Sequence, residues 1–174
     1  MKPVNDILLR YAIAVIIAIF SLTIPVFYFI FRPLTVLPTA FLLSLFYKTS
    51  LQGISIIVNG MGIEIIDACI AGSAFLLLLL FNILAREISL KKRIYIFIFD
   101  SLSLLALNIF RLVFLVILLV NGALFFDFVH KLFWYALSTI FVVFIWIISV
   151  KIFKIRTIPF ISDLKFLLKN SNRS

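Results

Sequence analysis

Residues 94–120 form a long apolar block, with Asp100, Asn108 and Arg111 inside it, from the basic cluster Lys91-Lys92-Arg93 to the break at Asn121-Gly122. At 1.5 Å per residue, a helix over this stretch is long enough to cross a hydrocarbon core about 30 Å thick. Four further apolar blocks occupy residues 7–31, 33–47, 68–85 and 124–150. They are apolar all round, with no single hydrophobic stripe, which points to lipid as the solvent. Composition agrees. Hydrophobic residues make up 65% of the chain and charged residues 13%, whereas a soluble domain is about half apolar and about a quarter charged.

The first block, interrupted only by Arg10, Ser21, Thr23 and Pro25, does not read as a removable leader. It is too long for one, and the Phe31-Arg32-Pro33 that follows is bulky and charged where a cleavage site needs small residues. The net charge is +9, and most of it lies outside the blocks. Arg86, Lys91, Lys92 and Arg93 form one cluster; Lys151, Lys154, Arg156, Lys165, Lys169 and Arg173 form another. No exposed module is large enough for nucleic-acid binding, so both clusters read as cytoplasmic flanks under the positive-inside rule. The single cysteine excludes an internal disulfide. One Cys and one His exclude a Cys/His zinc cluster, and no cofactor is expected.

Residues 48–67 change character. Ile54–Val58 and Met61–Ile66 flank Asn59-Gly60, a favoured hairpin turn. Free strand edges cannot sit in lipid, so this segment is expected outside the hydrocarbon. The fold expected is all-α: a multi-pass transmembrane bundle of about five helices, with a short extracytoplasmic hairpin-like segment before the third. Were 33–47 re-entrant, there would be four. Residues 1–174 form one integral membrane domain with its core at 33–150. Residues 151–174 form a basic cytoplasmic tail, with an amphipathic stretch from Pro159 on the inner leaflet.

This topology brings three reactive side chains to one depth. Cys69 opens the third block at its outer end. Arg111 lies about 26 Å from the inner end of the fourth, and His130 lies near the head of the last. A thiolate is the nucleophilic form of cysteine. Histidine can move protons near neutral pH, and arginine can hold a developing oxyanion. Together they suit attack on a peptide or acyl carbonyl through a thioester. Each also has a plainer reading. Cys69 alone is a small packing residue, and His130 alone an interfacial anchor. Arg111 is harder to dismiss, because arginine inside a membrane helix costs about 2.5–3.5 kcal/mol on insertion scales. Asn108, one turn before Arg111, could orient it or bond a neighbouring helix. Asp127 and Lys131 flank His130 and could tune it or mark the water boundary. Glu64 and Asp67 read as structural or substrate-facing.

At these residues the chain resembles the exosortase/archaeosortase family of membrane transpeptidases. The resemblance rests on Cys69 in Glu64-Ile-Ile-Asp-Ala-Cys-Ile-Ala-Gly72, on Asn108-Ile-Phe-Arg111, on His130 at the head of the next helix, and on Pro33-Leu-Thr-Val-Leu-Pro-Thr-Ala40. It covers roughly residues 33–150. Short archaeal members are the most similar. The family commonly has Cys-Ser-Gly or Cys-Thr-Gly, where this chain has Cys69-Ile70-Ala71-Gly72 followed by Ser73. The resemblance implies a cysteine peptidase that cleaves C-terminal sorting signals of surface proteins and transfers them to a membrane lipid. It implies Cys69 as nucleophile, His130 as acid and base, and Arg111 as electrostatic stabiliser, with the site on the extracytoplasmic side of the cell membrane. A competing expectation is a non-catalytic protein, a small transporter or assembly factor, in which Arg111, Asn108 and Asp127 line a polar pathway. Rhomboid-like serine chemistry fits poorly because Ser73 follows Gly72 directly, and acid-phosphatase chemistry needs more than one histidine.

Overall fold

The computed structural model describes residues 3–23, 25–86 and 88–155. The chain is mainly helical: α1 (Pro3–Thr23), α2 (Val26–Ser44), a one-turn α3 (Asp67–Ile70), α4 (Gly72–Leu84), α5 (Leu90–Val120), α6 (Phe126–Leu132) and α7 (Ser138–Ile152). A π-helical turn, Phe133–Leu137, joins α6 to α7. Between α2 and α3 lies an antiparallel three-stranded sheet, β1 (Thr49–Gln52), β2 (Ser55–Val58) and β3 (Met61–Glu64), in that order. The tail stretch expected from Pro159 lies outside the described residues.

Two helices, α2 and α5, are long and apolar enough to cross a membrane. A third crossing is reached if α6 and α7, bent by 49°, count as one span. The expected five crossings are therefore not all met: Ile7–Ser21 and Gly72–Leu84 are apolar but short.

The expected boundary between the first two blocks also moves. The break falls at Pro25, and α2 continues through Pro33 and Pro38. Internal prolines remove backbone donors, yet helices in lipid tolerate them where neighbours compensate. Contacts put α1 and α2 in series. Arg10 donates to the Leu84 carbonyl at the end of α4 (3.3 Å), Tyr28 abuts Gly72 at the start of α4, and Tyr47 beyond α2 accepts from Asn121 just past α5 (3.1 Å). The path 10→28→47 thus ascends from the basic end of the molecule to the sheet end without reversing.

Beside an apolar core, the molecule buries several polar groups and exposes many large apolar ones. Asn82, Asp100, Asn108, Arg111 and Ser149 are buried, while Phe29, Phe41, Leu102, Phe110 and Phe144 face outward. In water such an exterior would forgo roughly 25 cal/mol for every Å² of apolar surface left uncovered. In lipid it costs nothing, and the polar groups need the interior to find partners.

Those partners tie the helices together. Asp100 on α5 accepts from the Ser149 hydroxyl on α7. Arg93 donates to the carbonyls of Asn82, Ile83 and Ala85, closing the C-terminus of α4, and Asn82 Nδ2 returns a bond to the Arg93 carbonyl (2.8 Å). The last carbonyls of a helix have no intrahelical donor, so a guanidinium there satisfies several at once. Phe31 stacks on Phe75 with centroids 3.6 Å apart, and Phe81 packs against Trp146 at 5.5 Å.

The expected hairpin is present as β2–β3, with Val58 opposite Met61 and Asn59-Gly60 as the turn. Asn59 and Gly60 both have positive φ (50° and 85°), as a type I′ turn requires. The extra strand β1 was not expected.

Candidate active site

Cys69 does not open the long helix. It sits on α3, a single turn set apart from α4 by Ala71 in the left-handed conformation (φ 59°, ψ 34°). Ile66 is extended and starts the turn; the Cys69 amide bonds the Ile66 carbonyl at 2.8 Å. Two contacts lock this turn in place. Asp67 pairs with Arg32 on α2. Gly72 lies flat against the Tyr28 ring, where an added Cβ would come within 2.7 Å of the ring carbon Cζ. The break therefore orients Cys69 independently of the direction of α4.

Asn108 on α5 donates its Nδ2 to the Cys69 carbonyl at 2.8 Å. That carbonyl belongs to the last turn of a helix and needs a donor. Arg111 is one turn further along α5, on the same face, and is 7% exposed. Burial raises the pKa of the Cys69 thiol, and the nearby Arg111 guanidinium works against that rise. One helix face thus holds the cysteine by its backbone and presents a cation to its sulfur.

His130 on α6 completes the group. Phe126 stacks on its ring (5.5 Å, 11°), and Trp134 meets it edge-on (6.1 Å, 74°). Both lie four residues from it, so one face of the helix carries all three rings. Cys69, Arg111 and His130 together line one small cavity of about 20 Å³, roofed by Phe133 and Trp134. That volume is near what one water or one carbonyl oxygen occupies. Among the described residues, the thiol and imidazole share the cavity without a hydrogen bond between them. Catalytic hydrogen bonds often form only with substrate bound.

Two larger spaces adjoin. A cleft of about 120 Å³ runs from Cys69 and His130 past Leu115, Val116 and Leu119 to Ile63, Glu64 and Ile65. A second space of about 320 Å³ is bounded by Tyr28, Ala68, Ser73, Arg111 and Trp134. Ser73 is thus exposed beside Arg111, displaced from the cysteine by the break at Ala71.

The expected supporting residues divide. Asn108 meets the cysteine directly. Asp127 and Lys131 are exposed and line none of these spaces, so Asp127 does not join Asn108 and Arg111 in a common polar lining. Of the two acids before Cys69, Asp67 is structural and Glu64 borders the cleft. Sequence reasoning missed the aromatic clamp on His130, although the spacing Phe126, His130, Trp134 carried the signal. Among the described residues, no three His, Cys, Asp or Glu side chains gather where a metal ion could sit.

The fold and this cavity define a helical protein with two or three membrane-length segments and a thiol, a guanidinium and an imidazole around one small space. No family model, curated protein or solved structure matches the chain.

Proposed function

We propose that the chain is a membrane cysteine peptidase or transpeptidase of the exosortase/archaeosortase kind, with Cys69 as nucleophile. The observation that carries this reading is the single cavity shared by Cys69, Arg111 and His130, with Asn108 fixing the cysteine's backbone. Burial opposes ionisation of the Cys69 thiol and the Arg111 guanidinium offsets part of that cost, so the thiolate forms as His130 takes the thiol's proton. The thiolate attacks a carbonyl carbon, and the new oxyanion is held by Arg111. The C–N bond then breaks, His130 gives its proton to the departing amine, and a thioester remains on Cys69. A hydroxyl of a lipid acceptor, or water, attacks the thioester while His130 takes its proton, and the C–S bond breaks to expel the Cys69 thiolate, which His130 then reprotonates.

Depth supports the same reading. A 31-residue α5 is about 46 Å long, about 16 Å more than a hydrocarbon core. The polar strands need water, so the surplus belongs at the sheet end. Arg111 lies about 14 Å from that end, at the membrane boundary. Substrates would be surface proteins whose C-terminal sorting signal includes a transmembrane helix, cut at the extracytoplasmic face of the cell membrane.

A membrane-impermeant maleimide should alkylate Cys69 from the outer face, several-fold more slowly in Arg111→Gln at fixed pH. Cys69→Ser should abolish processing of a co-expressed protein bearing such a signal, with membrane levels unchanged. A cysteine that stays unlabelled in the native chain, or processing that survives Cys69→Ser, would overturn the reading.

A further inference from the structure

The cleft beside Cys69 has a wall that the chemistry above does not use. Ile63 and Glu64, the last two residues of β3, and Ile65 just beyond it all line the cleft. Successive side chains of a strand point to opposite faces of the sheet. A space bordered by both Ile63 and Glu64 therefore runs along the strand's edge. β3 is an edge strand, with β2 on its other side.

The hydrogen-bond phase shows which backbone groups face the cleft. In an antiparallel ladder every second residue bonds its partner strand. The Ile65 amide bonds the Ile54 carbonyl at 3.3 Å, so Met61, Ile63 and Ile65 turn their backbone groups toward β2. Gly62 and Glu64 turn theirs outward, where among the described residues they meet no backbone partner. Gly62 adds a second sign. Its φ is not positive and its Cβ position is open, so no turn or packing contact demands glycine. Glycine inside a strand often marks close approach by another backbone. The exposed Glu64 carboxylate has no ion-pair partner among the described residues.

We infer that an extended peptide segment docks as a fourth strand on β3, bonding Gly62 and Glu64. It places an aliphatic side chain in the cleft toward Cys69 and a cationic side chain beside Glu64. This is strand addition, in which backbone bonds supply affinity and pockets for alternate side chains supply selectivity. The cleft of about 120 Å³ suits one such side chain. A lipid chain could fill the cleft but could not bond the strand edge. A second copy pairing through β3 would bring two Glu64 carboxylates close together, which like charge opposes.

The inference deepens the peptidase reading and rests on it for the identity of the peptide, but its test reads binding alone. The full chain carrying Cys69→Ser, in lipid nanodiscs, is titrated with a fluorescein-labelled octapeptide of alternating valine and lysine. Two further peptides carry N-methyl groups on every valine amide or on every lysine amide. In a strand these two sets of amides face opposite edges. One methylated peptide should bind about ten-fold more weakly or worse, and the other within about three-fold of the parent, because only one edge faces β3. Glu64→Gln should weaken the parent several-fold and leave a valine–serine peptide unchanged. Equal losses for both methylated peptides, no loss for either, or no binding of the parent would overturn strand addition. So would a chain found dimeric by sedimentation whose dimer the peptide cannot dissociate, which assigns the edge to a second copy. If these results hold while Cys69 proves unreactive, the nucleophile fails and the docking edge stands.

Discussion

Asn108 and Arg111 divide one task between them. The amide fixes where the Cys69 backbone sits, and the guanidinium offsets part of the burial that disfavours the thiolate. Asn108 is 3% exposed and its bond to Cys69 is part-buried, so removing its amide leaves the Cys69 carbonyl without its donor. Asn108→Ala is therefore expected to cost roughly 1–3 kcal/mol, read as a lowered unfolding midpoint in detergent. The Arg32–Asp67 pair holds the same turn but is solvent-facing (39% and 59% exposed), and Asp67→Asn is expected to cost no more than about 1 kcal/mol. A larger loss for Asp67→Asn than for Asn108→Ala would reverse this ranking. Much at this scale was legible in the sequence. Arg111 in an apolar block, Asn108 one turn before it, and Cys69 and His130 at matching depth were all readable from hydropathy and helical spacing. That Asn108 would bond the cysteine's own carbonyl was not, because that contact depends on α3 ending at Ala71.

At the scale of elements, the short α3 is the device that separates the cysteine from the helix that follows. A non-glycine residue in the left-handed region costs roughly 1–2 kcal/mol, and Ala71 bears that cost. Ala71→Gly should raise thermal stability by up to about that amount while leaving Cys69 alkylation unchanged. Gly72→Ala should act the other way. Its Cβ would press on the Tyr28 ring, costing about 1–3 kcal/mol unless the ring moves, and Tyr28→Ala should recover part of the loss. A stabilising Gly72→Ala would show that the close approach is not a constraint. The break at Ala71 was invisible in the sequence, since residues 68–85 read as one apolar block and alanine is the best helix former. The hairpin was visible because Asn-Gly specifies its own turn. Strand β1 was not, because Thr49–Gln52 has a mostly exposed face and no alternation to betray it. Read from sequence alone, Pro25 falls inside the first block and the break comes at Pro33. The structure separates them because α2 buries Thr35, Val36, Thr39 and Ala40 just beyond Pro33, which fixes that segment as helix.

At the scale of the molecule, sidedness follows from where charge and backbone polarity collect. α5 has the basic residues Lys91, Lys92 and Arg93 in its first turn, and the sheet packs at its other end through Tyr47 and Asn121. Basic flanks favour the cytoplasmic side, and a sheet with open edges cannot enter hydrocarbon. Both demands are met in the proposed orientation, with the sheet end facing out. In a Cys69→Ser background, a cysteine introduced at Asn59, the tip of the hairpin, should react with an impermeant maleimide in intact cells. A cysteine at Lys92 should react only after permeabilisation. The same pair of variants tests how the chain crosses the membrane. α1 and α2 ascend in series, so a cysteine at Lys48, beyond α2, should label with Asn59→Cys, and one at Leu8 should label with Lys92→Cys. Labelling of Leu8→Cys and Lys48→Cys from the same side would overturn the ascending path 10→28→47, because a chain that starts and ends on one side crosses an even number of times: α1 and α2 would then each cross as a hairpin, or neither would cross.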